Sequence, residues 1–238
     1  MIRDATERIK KLDSVKWMLI EKDILIIADD IMGRVEMLIL EAVEQVIEDT
    51  LQYYSKDLYE NTGKTLAESS LNSIKSQMYT QFTTFPFKGN TLNGRFQRLD
   101  RKLKRNVMKN GKQCAARQVS RKELINRLVD CFYAPTPVRH ATLWGSSDTL
   151  LVSEENRFYH ETALAFLKHM GIRHVRFVLT PQHSSGDICD DIASHVDPVI
   201  KELLEPHDIS PVGVYRVEEL PEYPHPRALY YLEPIYLD

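Results

Sequence analysis

Cysteine is scarce in this chain, and what there is does not pair. Cys114, Cys131 and Cys189 are odd in number, widely spaced and form no CxxC. That excludes a disulfide framework and makes a reducing compartment the default. Nine glycines and eleven prolines among 238 residues are too few for a fibrous or disordered chain. Long hydrophobic runs are lacking as well. The most apolar one, MLILEAV at 37–43, is interrupted by Glu41 and flanked by Glu36 and Glu44, far short of a membrane span. The opening MIRDATERIKK has no apolar leader core. These absences predict a protein made in a cytoplasm and remaining soluble there, with no membrane contact.

Signatures of catalysis are missing too. GKT at 63–65 lacks the upstream glycine of a phosphate loop and follows no strand pattern. His160 and Glu161 are adjacent rather than at ligand spacing, so there is no HExxH zinc helix. No two carboxylates stand out as an acid–base couple. An enzyme is not expected, and neither is a cofactor.

What is present is the making of an ordinary core. With 43% hydrophobic and 27% charged residues, the chain suits one large domain or two small ones. From 14 to 58, Val35, Leu38, Ile39, Ala42, Val43, Val46, Ile47, Leu51, Tyr54 and Leu58 recur at spacings of three and four, with Glu36, Glu41, Glu44, Glu48 and Asp49 mostly between them. This predicts one long helix capped by Ser14, or two helices broken near Gly33, with an acidic wet face. ILII at 24–27 belongs to it or forms a short strand. No strict heptad is sustained, so a packing helix is favoured over a coiled coil. A turn at 61–64 precedes a second helix over 66–82, with Leu71, Ile74, Met78 and Phe82 on one side.

The segment FPFKGN at 85–90 breaks the chain, and its charge then inverts. Between 88 and 127 there are thirteen Lys and Arg against Asp100 and Glu123, so 13 − 2 gives +11. Leu92, Phe96, Leu99, Leu103 and Val107 make an apolar stripe, which predicts an amphipathic basic helix over 91–109. Arg95, Arg98, Arg101, Lys102, Lys104, Arg105 and Lys109 are its candidate contacts, to phosphates by counterion release or to an acidic protein surface. A merely solvated face competes with both. Aromatics are not interleaved, which argues against stacking on single strands. Ser120 would cap a shorter helix over 121–132.

The prolines at 134–138 mark a hinge and a domain boundary. Residues 142–147 look like loop, and 154–170 a helix closed by Gly171. Ile172 to Leu179 alternates as a half-buried strand, with Val175, Phe177 and Leu179 on one face. After a turn, Asp187 opens a helix through Cys189 and Ile192. A Pro- and Glu-rich linker leads to VGVY at 212–215 and a final strand, ALYYL, at 228–232.

His183, Asp187, Cys189, Asp190 and His225 are the one cluster of ligand-type residues. Structural zinc normally takes two close pairs; here His183 with Cys189 would be one, and His225 alone is offered for the other. The competing account has Asp187 as a helix cap, Cys189 as a buried small hydrophobe and the histidines in surface turns. Cys189 with His183 as base would make a nucleophile, but no oxyanion donors or orienting group can be assigned.

Four blocks, in order, carry a resemblance: FPFKGNTLNGRFQRL at 85–99, SEENRFYHETALAFLKHMG at 153–171, VRFVLTPQHSSGDICDDIAS at 175–194 and PEYPHPRALYYLEP at 221–234. Together they resemble the phage Mu F-type head morphogenesis family, the minor head proteins of tailed phages. The resemblance implies a non-catalytic structural protein of the virion head or head–neck region, assembled in the host cytoplasm and present in multiple copies. Its implied partners are portal, major capsid or neck proteins and double-stranded DNA. The family's terminal HPxCxC implies a metal knuckle or disulfide partners. Here Ala228 and Tyr230 follow His225 and Pro226 where sulfurs would stand, so that site is expected to be lost and the segment to be a cap, a buried thiol and a packed strand. Alternatives are a nucleic-acid-processing or zinc-containing module built on the same cluster, and a plain cytosolic interaction protein. The fold expected is α+β: a helical domain over 1–133 and a small β-containing module over 134–238.

Overall fold

The computed structural model describes residues 2–11, 17–84, 91–133, 142–183, 186–221 and 230–237. The expected cap at Ser14, the break at 85–90, the hinge at 134–138, and His225, Pro226 and Ala228 lie outside these, as does the side chain of Phe82. Among the described residues there are eight α-helices and one three-stranded antiparallel sheet near the C-terminus. The chain is therefore mainly helical α+β. No described helix is long and apolar enough to cross a membrane.

The elements run α1 (Ile2–Lys10), α2 (Trp17–Thr62), α3 (Glu68–Thr84), α4 (Leu92–Arg117), α5 (Arg121–Phe132), α6 (Leu143–His169), β1 (His174–Leu179), α7 (Ile188–Ser194), α8 (Pro198–Leu204), β2 (Val214–Arg216) and β3 (Tyr230–Ile235). They form two compact units, residues 1–42 with 81–151, and residues 43–80 with 152–238. The sequence reading divides the chain once, at 133/134; these units are instead each assembled from two stretches.

The first unit is all helical. α1 and α4 both pack on α5, burying Ile9, Phe96, Leu103, Val107, Leu124 and Leu128. α2 runs unbroken through Gly33, and ILII at 24–27 is helical. A broken helix needs a partner for the freed backbone groups, and here flanking Ile31, Met32 and Val35 are buried on the helical stripe instead. Ser120 accepts the Glu123 N–H and starts α5 at Arg121, as its hydroxyl predicts. Residues 142–147 are not loop. Thr142 Oγ1 accepts the Gly145 N–H at 3.2 Å, and Ser147 Oγ donates to Leu143 O at 2.8 Å. Residues that look like loop formers thus open α6.

The second unit carries the sheet, in the order β2-β1-β3. Val175 and Phe177 are buried as the alternation predicts, while Leu179 is only half-buried and His174 is buried. Arg176 pairs across the strands with Glu233, its register partner, at 2.6 Å. The supposed linker contains α8, started by Asp197, whose carboxylate accepts the Val199 and Ile200 N–H groups. α8 buries Ile200 and Leu204 with Val214 and Ile235. Gly213 sits at φ +70° with Ala193 O only 2.8 Å from where a Cβ would be, so only glycine fits between β1 and α7.

β3 is held on its outer side by hydroxyls. Leu232 N–H donates to Tyr159 Oη at 2.9 Å, and Tyr54 Oη donates to Leu232 O at 2.6 Å. The two hydroxyls are 3.0 Å apart. Tyr54's one proton is committed to the carbonyl, so Tyr159 must donate to Tyr54, closing a ring of three bonds. Tyr236 similarly donates to Asp57 at 2.6 Å.

Candidate functional site

Two places concentrate chemistry-bearing side chains, one in each unit. In the first unit it is α4. Thr91 caps its start by accepting the Gly94 N–H at 3.1 Å, and Gln118, at φ +50°, ends it. The helix continues eight residues past the expected end at Lys109. The reason is Gly111, whose missing side chain makes room for the ring of Trp17, 2.3 Å from a would-be Cβ. Cys114 then continues the apolar stripe of Leu92, Phe96, Leu99, Leu103 and Val107, all buried.

At about 100° per residue, Arg98, Arg101, Lys102, Arg105, Lys109 and Lys112 fall within an arc of about 100°, opposite the apolar stripe. All six are exposed. Over 98–112 they span about 21 Å. Lys112 extends the row beyond the residues singled out from sequence, because the helix runs on through Gly111 to Arg117. Arg95 is half-buried at the edge of the row. Lys104 lies off it, held to Asp29 at 2.5 Å and Asp100 at 3.0 Å. Those carboxylates keep its ammonium protonated, with its pKa raised. Its charge is compensated within the unit, and it drops out of the contact set.

In the second unit the residues are His183, Asp187, Cys189 and Asp190. Asp187 begins α7, its Oδ1 accepting the Cys189 N–H at 2.8 Å. Asp190 reciprocates, its Oδ2 accepting the N–H groups of Gly186 and, at 3.2 Å, Asp187. The two form a capping box. Cys189 is fully buried, and burial, followed by the nearby charge of Asp187, pushes its thiol up to about 12. A protonated, inaccessible thiol is the reverse of what nucleophilic catalysis requires.

His183 is anchored by its own N–H to Thr180 O at 2.9 Å, and only 5% of its side chain is exposed. Its Nε2 lies 3.5 Å from Asp187 Oδ1 and 3.5 Å from Asp190 Oδ1, with no hydrogen-bond partner among the described residues. Ligand atoms of His183, Asp187 and Cys189 all lie within 4.8 Å of one another. The structure thus brings together four of the six residues of the sequence-predicted C-terminal motif; His225 and Pro226 lie outside the described residues.

Sequence reasoning missed a buried polar stripe on α6. His160 is 1% exposed, with Nδ1 2.6 Å from Tyr230 Oη. Burial, then Lys168, lowers its pKa to about 4, so the ring is neutral at physiological pH. Only its helical position four residues before Leu164 and three after Arg157 hinted at an inward face. Elsewhere in this unit a cleft of about 760 Å³ is lined on its polar side by Asn61, Lys64, Arg173 and His174, and no carboxylate lines it among the described residues.

No family model matches the chain, and neither the curated proteins nor the solved structures contain a significant match.

Proposed function

We propose that the chain is a minor head protein of a tailed phage: a non-enzymatic structural component that binds portal, capsid or neck subunits and touches packaged double-stranded DNA. Two things support this. One is the ordered four-block resemblance over 85–234. The other, which carries the mechanism, is the row of six exposed cations on α4, backed by a buried apolar face that fixes it in place. A rigid cationic row about 21 Å long meets a duplex whose phosphates lie every ~1.7 Å along the axis. Binding would release condensed counterions and read charge, with no sequence preference. The buried, protonated Cys189 and the cationic cleft, lined by no carboxylate among the described residues, fit a structural role better than a catalytic one.

The test has two arms. Mass spectrometry of purified heads from the source phage should find the chain at several copies per particle; its absence from heads removes the structural reading. Filter binding to duplex DNA of mixed sequence should give a log–log salt slope of about −5, from 0.9 per phosphate over six cations. Arg105→Glu with Lys109→Glu should flatten the slope by about 2. A salt-insensitive or absent interaction would transfer the row to an acidic protein surface.

A further inference from the structure

His183 and the start of α7 bring three donor groups together, those of His183, Asp187 and Cys189, with an Asp190 oxygen 3.5 Å from the histidine, and the imidazole nitrogen is the informative one. A buried imidazole nitrogen without a hydrogen bond is costly, and such groups in a folded protein ask for a partner. His183 Nε2 is that nitrogen. It faces two carboxylate oxygens at 3.5 Å each, too long for a good hydrogen bond. The spacing instead suits ligands sharing an ion. Bonds of about 2.0–2.2 Å to nitrogen and carboxylate oxygen, set at tetrahedral angles, put ligand atoms about 3.4 Å apart. Cys189 adds the sulfur, in reach of both His183 and Asp187.

From this geometry we propose that His183, Asp187 and Cys189, with Asp190 as fourth ligand, form a zinc site. Imidazole, thiolate and carboxylate are zinc's usual donors, and the mixed set with one sulfur disfavours calcium and magnesium, which take oxygen alone. Asp187 Oδ1 already accepts the Cys189 N–H, yet a carboxylate oxygen has a second lone pair for the ion. The same bond orients the carboxylate, as outer-shell contacts do at metal centres. On binding, the Cys189 S–H bond breaks, an S–Zn bond forms, and the proton passes to solvent, so about one proton is released per zinc. The sequence reading sought a second ligand pair at His225; Asp190 provides the fourth group from the same turn. This site is independent of the role in phage heads and would stand without it.

The experiment uses the full chain, stripped with chelator and titrated with Zn²⁺ or Co²⁺ alone. The expected result is one zinc per chain by calorimetry and elemental analysis. The Co²⁺ form should show a sulfur-to-cobalt charge-transfer band and the intense visible bands of a tetrahedral site. Cys189→Ser should abolish the charge-transfer band. His183→Gln should weaken zinc binding by about 100-fold or more, beyond the 10–100-fold of losing an outer-shell partner. Asp187→Asn keeps the helix cap, since asparagine caps as well as aspartate, so it should weaken binding while circular dichroism stays unchanged. A wild-type chain that takes up no zinc overturns the proposal and leaves a histidine set between two carboxylates. So does zinc affinity unchanged in both His183→Gln and Cys189→Ser.

Discussion

Replacing Tyr54 with phenylalanine removes one oxygen and leaves every ring contact of that residue in place, including its tilted packing on Phe166 at 5.8 Å. The loss falls on a closed circuit. Tyr54 no longer donates to Leu232 O, and Tyr159 no longer has an oxygen to donate to. Tyr54 and Leu232 are both fully buried, so water cannot step in. An orphaned buried polar group costs about 1–3 kcal/mol; with one carbonyl and one hydroxyl affected, the expected loss is about 2–4 kcal/mol. For a chain of this size that corresponds to a fall in Tm on the order of 10 °C. The measurement is a urea titration followed by circular dichroism, with Cm lowered and the slope m unchanged. Tyr159→Phe, which orphans the Leu232 N–H, should cost a similar amount. Because each single change opens the same ring, the double variant should lose less than the sum of the singles, with a coupling of about 0.5–3 kcal/mol. A loss below about 0.5 kcal/mol for Tyr54→Phe, the range of inconsequential surface changes, would refute the ring. Strict additivity of the two would refute its closure.

Gly111→Ala should destabilise by about 1–3 kcal/mol, as overpacking does, because the new methyl meets the Trp17 ring at 2.3 Å. Gly33→Ala, with nothing within 4 Å of its Cβ and a helix around it, should stabilise by about 0.5–1 kcal/mol; thermal melts of the pair check both signs. His160 titrates near 4 when folded against 6.5 unfolded. Above 6.5 both states are neutral, and below that the unfolded chain alone gains the proton. Stability should therefore fall as pH drops from about 6.5 to 4, by up to about 3 kcal/mol for this one group. The difference in Cm between wild type and His160→Asn, measured across that window, should change with pH; a constant difference would mean the imidazole charges freely in the fold.

Local signals were legible where the deciding atoms are close in sequence. Ser120, three residues from the N–H it accepts, set the start of α5, and Asp187 did the same for α7. Gly171, at φ +69°, closed α6 as its lack of a Cβ suggests. Sequence failed where distant burial overrode local preference. Gly145, Ser146 and Ser147 look like loop, but Thr142 and Ser147 find helical partners and are buried. α4 runs past its expected end at Lys109 because Trp17, 94 positions before Gly111, fills the gap at that glycine. The C-terminal cluster was legible as residue types only. That His183 Nε2 has no hydrogen-bond partner among the described residues, or that Asp190 turns one oxygen to the cap and the other to His183, is a matter of three-dimensional placement that no spacing rule gives. The Tyr54–Tyr159–Leu232 ring, with bonds spanning 105 and 178 positions, left no periodic trace.

The interleaved make-up of the two units has a consequence for how the chain acquires its structure. α2 leaves one unit at residue 42 and enters the other at 43, and α6 does so at 151 and 152. A nascent chain that has delivered residues 1–133 still lacks Leu143 and Ser147, both buried in the first unit. Neither unit can therefore be completed before α6 has left the ribosome. The second unit must then bring together stretches separated by the 71 residues of 81–151, a closure that costs about 4 kcal/mol for a flexible loop. The connectivity therefore allows no single cleavage of the chain that yields two self-sufficient halves.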